Sequence, residues 1–228
     1  MDISTFSSIL FSTENPVLPG LSVMRMALHG AWAIVLGCGV MWMAGKLARP
    51  YRMGLSFLVM LWTLLPGSAS PAHWLGLAFQ TPSLMSTVIC LTWLLDRVRS
   101  ERHPVFFMAK PQALVIKILT VFGVVLGWVL LLDALAWLPV SVYAWGFSSV
   151  AFAAMAVLAT VLWLTMRSAG SVLPLFVLTL FVLSRLPTGN VWDALLDPWL
   201  WVALQAGWLI NVARRLMGPG RSPPTTRV

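Results

Sequence analysis

The chain has little of what catalytic and ligand-binding motifs require. Its 228 residues include only two cysteines, three histidines and seven acidic residues. Cys38 and Cys90 form no CxxC pair and lie within apolar runs, so we expect buried thiols and no disulfide framework. The sequence also lacks GxSxG, HExxH, GxGxxG and GxxxxGK[S/T] motifs. These absences exclude the well-marked serine-hydrolase, zinc-protease and nucleotide-binding classes.

Charge of both signs is scarce, whereas apolar residues are abundant. Only 10% of the residues are charged and 59% are hydrophobic, against about 25% charged residues in soluble proteins. A soluble core of this size could not enclose so much apolar surface, so most of the chain is expected to have lipid as its solvent. The composition predicts an all-α, polytopic integral membrane bundle.

Seven apolar runs are candidates for membrane-spanning helices, each of which needs roughly 20 residues. The runs cover approximately residues 23–45, 53–65, 83–95, 112–137, 142–166, 171–186 and 198–213. The second and sixth runs are short, and a six-span form in which one of them lies in the interface or re-enters the membrane is the alternative. That form would reverse the charge pattern on part of the chain, so seven spans are favoured.

Lysine and arginine fall almost entirely in alternate gaps between these runs. Thirteen of the 15 basic residues lie on one face, and only Arg25 and Arg185 lie on the other. Because positive charge is retained on the cytoplasmic side during insertion, this segregation predicts an N-outside, C-inside topology. The preference for arginine over lysine, with many tryptophans and alanines, is typical of a bacterial protein and favours the inner membrane.

The expected organisation is one transmembrane domain with short connections. Residues 1–22 form a short outer tail, 23–215 form the helical domain and 216–228 form a disordered cytoplasmic tail. Within the domain we expect an interfacial helix near 71–80, which has proline in its first turn, and a basic cytoplasmic loop over 96–111.

Small residues recur at helical spacing in two of the runs. One stripe contains Gly30, Ala33, Gly37 and Ala44 in the first run, and another contains Ser149, Ala153, Ala156 and Thr160 in the fifth. Since small side chains allow helices in lipid to approach closely, both stripes are predicted to face the bundle interior.

Ionisable side chains within the apolar runs are the first candidates for function, because charge is costly in lipid. The predicted topology brings five such residues to the outer membrane level: Arg25, His29, Asp133, Arg185 and Asp193. They could form a polar vestibule or a proton-linked site. The alternative is structural pairing and extension of the side chains towards the headgroups, and Asp197 is explained as a helix cap before Pro198.

Two amides of the seventh run also need partners. Lipid cannot satisfy the side chains of Gln205 and Asn211, so both are candidates for hydrogen bonds between helices. No cofactor or metal is expected, because His29, His73 and His103 do not share one membrane face. Ser68 and His73 lie in one loop but lack a nucleophile motif.

These features rank three function classes. A non-catalytic subunit or assembly factor that binds other membrane proteins comes first, because the loops are short and buried polar groups are few. A transporter or channel for a small solute or ion, with the outer polar residues as its site, is the alternative. A membrane-embedded enzyme is third. A nucleic-acid partner is not expected despite the net charge of +8, because the basic residues flank apolar runs.

Overall fold

The computed structural model of the protein describes residues 18–99 and 110–217. Within these ranges the chain is all-helical and contains no strands. Seven of the described helices have at least 15 residues, and three are shorter. In chain order they are α1 (Leu21–Met43), α2 (Arg49–Thr63), α3 (Pro71–Phe79), α4 (Leu84–Arg99), α5 (Lys110–Ala134), α6 (Val142–Trp145), α7 (Ser149–Met166), α8 (Ala169–Ser184), α9 (Val191–Leu195) and α10 (Pro198–Met217).

Three helical segments are long and apolar enough to cross a membrane: Leu21–Lys46, Leu114–Ala134 and Ser149–Met166. Gly170–Ser184 is equally apolar in character but shorter. Large apolar side chains are exposed on every long helix, and Leu183 retains 79% of its accessible surface. This much exposed apolar surface is consistent with a membrane protein, because lipid accepts it and water does not.

Short polar side chains determine where several helices begin. Ser70, Ser141 and Ser148 each accept a hydrogen bond from a backbone N–H in the first turn of the helix that follows. Ser168 and Ser171 form a reciprocal capping box at the start of α8. These bonds satisfy N–H groups that a helix cannot pair internally, which matters most where water is scarce.

The expected fifth run, 142–166, is divided in the structure. Helix α6 ends at Trp145, and α7 begins at Ser149 after the Ser148 hydroxyl accepts a hydrogen bond from the Ala151 N–H. The prediction of one continuous helix was therefore wrong at this end. The physical reason is local capping by serine, which a hydropathy pattern does not report.

Helix α4 joins two groups of helices. On one side, α1 packs against α2, α3 and α4; on the other, α5 packs against α10 and α8 packs against α7. Helix α4 also contacts α8 and α9. A cluster of buried apolar side chains lies at this junction and includes Val177, Leu178, Phe181, Val191 and Ala194.

The small-residue stripe on α1 forms a close helix contact around Gly37, whereas a Cβ atom added at Gly30 would meet nothing within 4 Å. Ala33 and Gly37 are buried, and a Cβ atom added at Gly37 would lie 2.6 Å from Met60 Cγ. The Ser56 hydroxyl donates to the Gly37 carbonyl oxygen at 2.8 Å, so the two backbones meet here. Close approach of α1 and α2 therefore depends on the missing side chain of Gly37.

The stripe predicted on α7 is wrong. Ser149, Ala153 and Thr160 are exposed, and of the four stripe residues Ala156 alone packs on the core, together with the buried Ala159 and with Phe152. The buried face is rotated because the large side chain of Phe152 stacks against Phe181 of α8. An aromatic contact, rather than a row of small residues, sets the orientation of α7.

The ends of the described helices refine the expected domain boundaries. Helix α1 begins at Leu21 and α10 continues to Met217, so the helical domain extends beyond 23–215 at both ends. Most of the two predicted tails, residues 1–17 and 218–228, lies outside the described residues, and so does the central part of the predicted basic loop, 100–109.

Candidate functional site

Two of the predicted outer residues meet at Tyr143. Asp133, at the end of α5, accepts a hydrogen bond from the Tyr143 backbone N–H at 2.6 Å and one from Ser141 at 3.3 Å. Asp193, in α9, accepts one from the Tyr143 hydroxyl at 2.7 Å. The Thr188 hydroxyl also donates to Asp193. Tyr143 thus connects the carboxylates of two helices that are far apart in sequence.

Asn190 closes the same cluster from the turn before α9. Its amide nitrogen donates to the Tyr143 carbonyl at 2.9 Å, and its amide oxygen accepts from the Trp192 N–H at 2.9 Å. The Val191 N–H donates to the Gly146 carbonyl, and the Trp192 indole donates to the Val142 carbonyl. We call Ser141, Tyr143, Gly146, Thr188, Asn190, Trp192 and the carboxylates of Asp133 and Asp193 the Tyr143 cluster.

The electrostatics of this cluster favour a neutral phenol. Partial burial raises the pKa of Tyr143 above its ordinary value, and the hydrogen bond to Asp193 raises it further. The phenol therefore remains a hydrogen-bond donor to a carboxylate. The Asp133 and Asp193 carboxylates each accept hydrogen bonds from two donors within the cluster. These bonds are suited to holding α6 and α9 together.

The other three predicted outer residues do not join this cluster. His29 Nδ1 lies 2.9 Å from the carbonyl oxygen of Arg25, one turn earlier in α1. Its Nε2 atom is buried and has no hydrogen-bond partner among the described residues. Arg185 ends α8 in a left-handed conformation, with its guanidinium 5.7 Å from the ring of Phe181. The predicted five-residue vestibule therefore has two of its members in one hydrogen-bonded group.

The two predicted amides lie on α10 without partners in the described part of the chain. Gln205 is half-buried and Asn211 is exposed. Neither side chain forms a hydrogen bond with the residues described by the structure. A different residue of α10, Trp201, connects this helix to α5, because its indole N–H donates to the Val124 carbonyl at 3.3 Å. The interhelical hydrogen bonds expected for Gln205 and Asn211 are therefore not formed among residues 18–99 and 110–217.

Asp197 accepts two hydrogen bonds, of which the sequence predicted only one. As expected, it caps α10, because its Oδ1 accepts from the Leu200 N–H at 2.8 Å. Its Oδ2 also accepts from the buried N–H of Ser83, at the start of α4, at 2.8 Å. Asp197 and Ser83 are separated by 114 residues, so no local pattern could have predicted this second bond.

The residues described by the structure contain no group of three histidine, cysteine or acidic side chains positioned to hold a metal ion. Ser68 lies in the loop before α3, and its carbonyl oxygen accepts a hydrogen bond from the indole of Trp74 in α3; the His73 ring, also in α3, packs against Trp74 with ring centroids 5.2 Å apart. These contacts are structural.

Comparison of the chain with protein-family models, curated proteins and solved structures finds no match.

Proposed function

We propose that the protein is a non-catalytic subunit or accessory factor of the bacterial inner membrane, which binds another membrane protein through α10. The observation that carries this proposal is the unpaired carboxamide of Gln205 on a helix flanked by lipid-facing apolar residues. This proposal rests on a seven-span topology.

We propose that α1, α2, α4, α5, α7, α8 and α10 each cross the bilayer, with the N-terminus outside. Basic residues lie at or just after the C-terminal ends of α1, α4 and α7. This supports a shared cytoplasmic side for the three ends. Helices α2, α4 and α8 have only 15 or 16 residues, or about 23 Å. Local thinning of the bilayer and long basic side chains near their ends accommodate that length.

Thiol labelling tests the topology. In a variant with Cys38 and Cys90 replaced by serine, Ser68→Cys and Val140→Cys should react with a membrane-impermeant reagent in intact cells. Ala48→Cys should react only after the membrane is opened. All three positions are exposed, so burial does not complicate the comparison. Labelling of Ala48→Cys in intact cells would contradict the proposed orientation.

Gln205 supports a protein partner because its amide is costly in lipid. It lies seven residues from the start of α10, which is about 10 Å along the helix and within the hydrocarbon region. An amide transferred from water to hydrocarbon without partners loses roughly 4–8 kcal/mol. Val202 and Leu209 beside it are more than half exposed, so the same face offers apolar packing for a partner helix.

Replacing Gln205 with leucine is expected to weaken the complex while leaving the subunit folded. A hydrogen bond between transmembrane helices contributes about 1–2 kcal/mol, which corresponds to a loss of roughly 5- to 30-fold in association. The measurement is the fraction of the chain that co-purifies with its partner at fixed stoichiometry in mild detergent.

Thr160→Val is the matched control for Gln205→Leu. Thr160 is an exposed polar residue of α7, but its hydroxyl donates to the Ala156 carbonyl of its own helix at 2.7 Å. This variant should retain the complex because no partner is needed to satisfy Thr160. Purification of the wild-type chain as a bare monomer, or equal complex formation by both variants, would refute the role of α10.

A transporter with an outer polar site remains the alternative proposal. The buried, unpaired Nε2 atom of His29 favours it, because a ring nitrogen without a partner can form a hydrogen bond with a polar solute. The Tyr143 cluster supports the accessory role instead, since Asp133 and Asp193 are each occupied by two donors. An embedded enzyme has no comparable support from the described residues.

A further inference from the structure

A large apolar cavity lies inside the second group of helices. Its volume is about 430 Å³, and residues from α4, α5, α7, α8, α9 and α10 line it. Representative lining residues are Leu126, Met155, Ala159, Leu173, Leu196 and Leu204. Along α5 the lining extends from Ile116 to Leu126, which is about 15 Å of helix. The cavity is therefore elongated along the bundle and partly open to its surface.

The chemistry of the lining disfavours water. A buried water needs two to four polar partners, and the lining side chains are apolar except for Thr120. Thr120 supplies a single hydroxyl, which is fewer polar partners than one buried water needs. Interiors are close-packed, and an empty space of this size is unfavourable.

The size and surroundings of the cavity fit a hydrocarbon chain. At about 30 Å³ for each water-sized group, 430 Å³ holds on the order of 14 such groups. Two of the lining helices, α5 and α7, contain segments that are long and apolar enough to cross a membrane, so in the topology proposed above the opening faces lipid tails.

Two basic residues are sequence neighbours of lining residues at the start of α5 and in the α7–α8 connection, which meet where Val115 Cγ1 lies 3.7 Å from the Cβ position of Gly170. Lys117 is exposed between the lining residues Ile116 and Ile118. Arg167 is exposed in the α7–α8 connection, between the lining residues Leu162 and Gly170. Lysine and arginine at the membrane surface attract anionic headgroups. The polar end and the apolar interior together match an amphiphile with one negative headgroup.

We propose that this cavity binds one acyl chain of an anionic membrane phospholipid, whose phosphate lies beside Lys117 and Arg167. The lipid completes the packing between α5, α7 and α8 and is an integral component of the folded bundle. It is distinct from bulk lipid because its chain is surrounded by six helices.

The test uses the full chain in nanodiscs that contain palmitoyl phosphatidylglycerol and palmitoyl phosphatidylethanolamine. Native mass spectrometry should find one phosphatidylglycerol retained by each wild-type chain after detergent release. Ala159→Phe fills the cavity and should reduce retention several-fold. Ala153→Phe is the matched control, because Ala153 is exposed on the same helix and outside the cavity lining. Equal retention by the two variants would overturn the proposal.

A labelling measurement on the wild-type chain remains decisive if Ala159→Phe fails to fold. Phosphatidylglycerol with a diazirine in its acyl chain should label cavity residues such as Ala159 and Leu173 more strongly than Ala153 and Leu183. Lys117→Gln combined with Arg167→Gln should reduce this labelling several-fold. Labelling confined to the outer residues, equal labelling by a phosphatidylethanolamine probe, or labelling only by a free fatty-acid probe would each refute the site.

Discussion

Replacing Gly146 with alanine is expected to destabilise the protein by about 3 kcal/mol or more. A Cβ atom at this position would overlap the Asn190 side-chain oxygen and the Trp192 ring. Asn190 would have to leave its place, losing its bonds to the Tyr143 carbonyl and the Trp192 N–H. Abundance in membranes and the midpoint of thermal unfolding in mild detergent measure the effect.

Gly30→Ala is the control for Gly146→Ala. Gly30 lies inside α1, and a Cβ atom there would meet nothing within 4 Å. Because alanine is the better helix former, this variant should be neutral or more stable by up to about 1 kcal/mol. If Gly146→Ala matched Gly30→Ala in abundance and thermal midpoint, the packing of Asn190 against Gly146 would be wrong.

Replacing Asp197 with alanine is expected to cost about 3 kcal/mol, because it removes two charge-assisted hydrogen bonds at once. The buried N–H of Ser83 would lose its acceptor, and α10 would lose its cap. Asp197→Asn retains one acceptor oxygen and presents an N–H₂ group in place of the other. It should therefore lose about half as much, which thermal unfolding of the two variants can resolve.

Asp96→Asn provides the comparison for Asp197. Asp96 lies near the other end of α4, and its side chain forms no hydrogen bond with the described residues. This substitution should change stability by less than about 0.5 kcal/mol. A loss in Asp96→Asn as large as that in Asp197→Ala would show that removal of any acidic charge, rather than the link between α4 and α10, is responsible.

Helices could be located from the sequence wherever an apolar run ended in a strong local signal. Pro71 in the first turn of α3 and Asp197 before Pro198 are such signals, and helices begin at both places. The break before α7 was missed because Ser148 is surrounded by apolar residues. Hydropathy averages over a window of residues, whereas one serine cap interrupts a helix through a single hydrogen bond.

The candidate residues illustrate a different limit. Charge segregation predicted a shared membrane level for Asp133 and Asp193, but it could not identify Tyr143, whose backbone N–H and hydroxyl donate to the two carboxylates. The same reasoning added Arg25 and His29, which contact each other within α1. Membrane level is a single coordinate, so residues that share it can lie on helices that are not neighbours.

The amino-acid sequence alone determined that this chain is helical and has segments apolar enough to cross a membrane, because composition and hydropathy are local properties. Tertiary structure decided which helices are neighbours. It rotated α7 through the contact of Phe152 with Phe181, attached α4 to α10 through Asp197, and left a cavity between helices that sequence patterns treat as separate. Helices in lipid are oriented by a few close contacts, and those contacts join residues far apart in the chain.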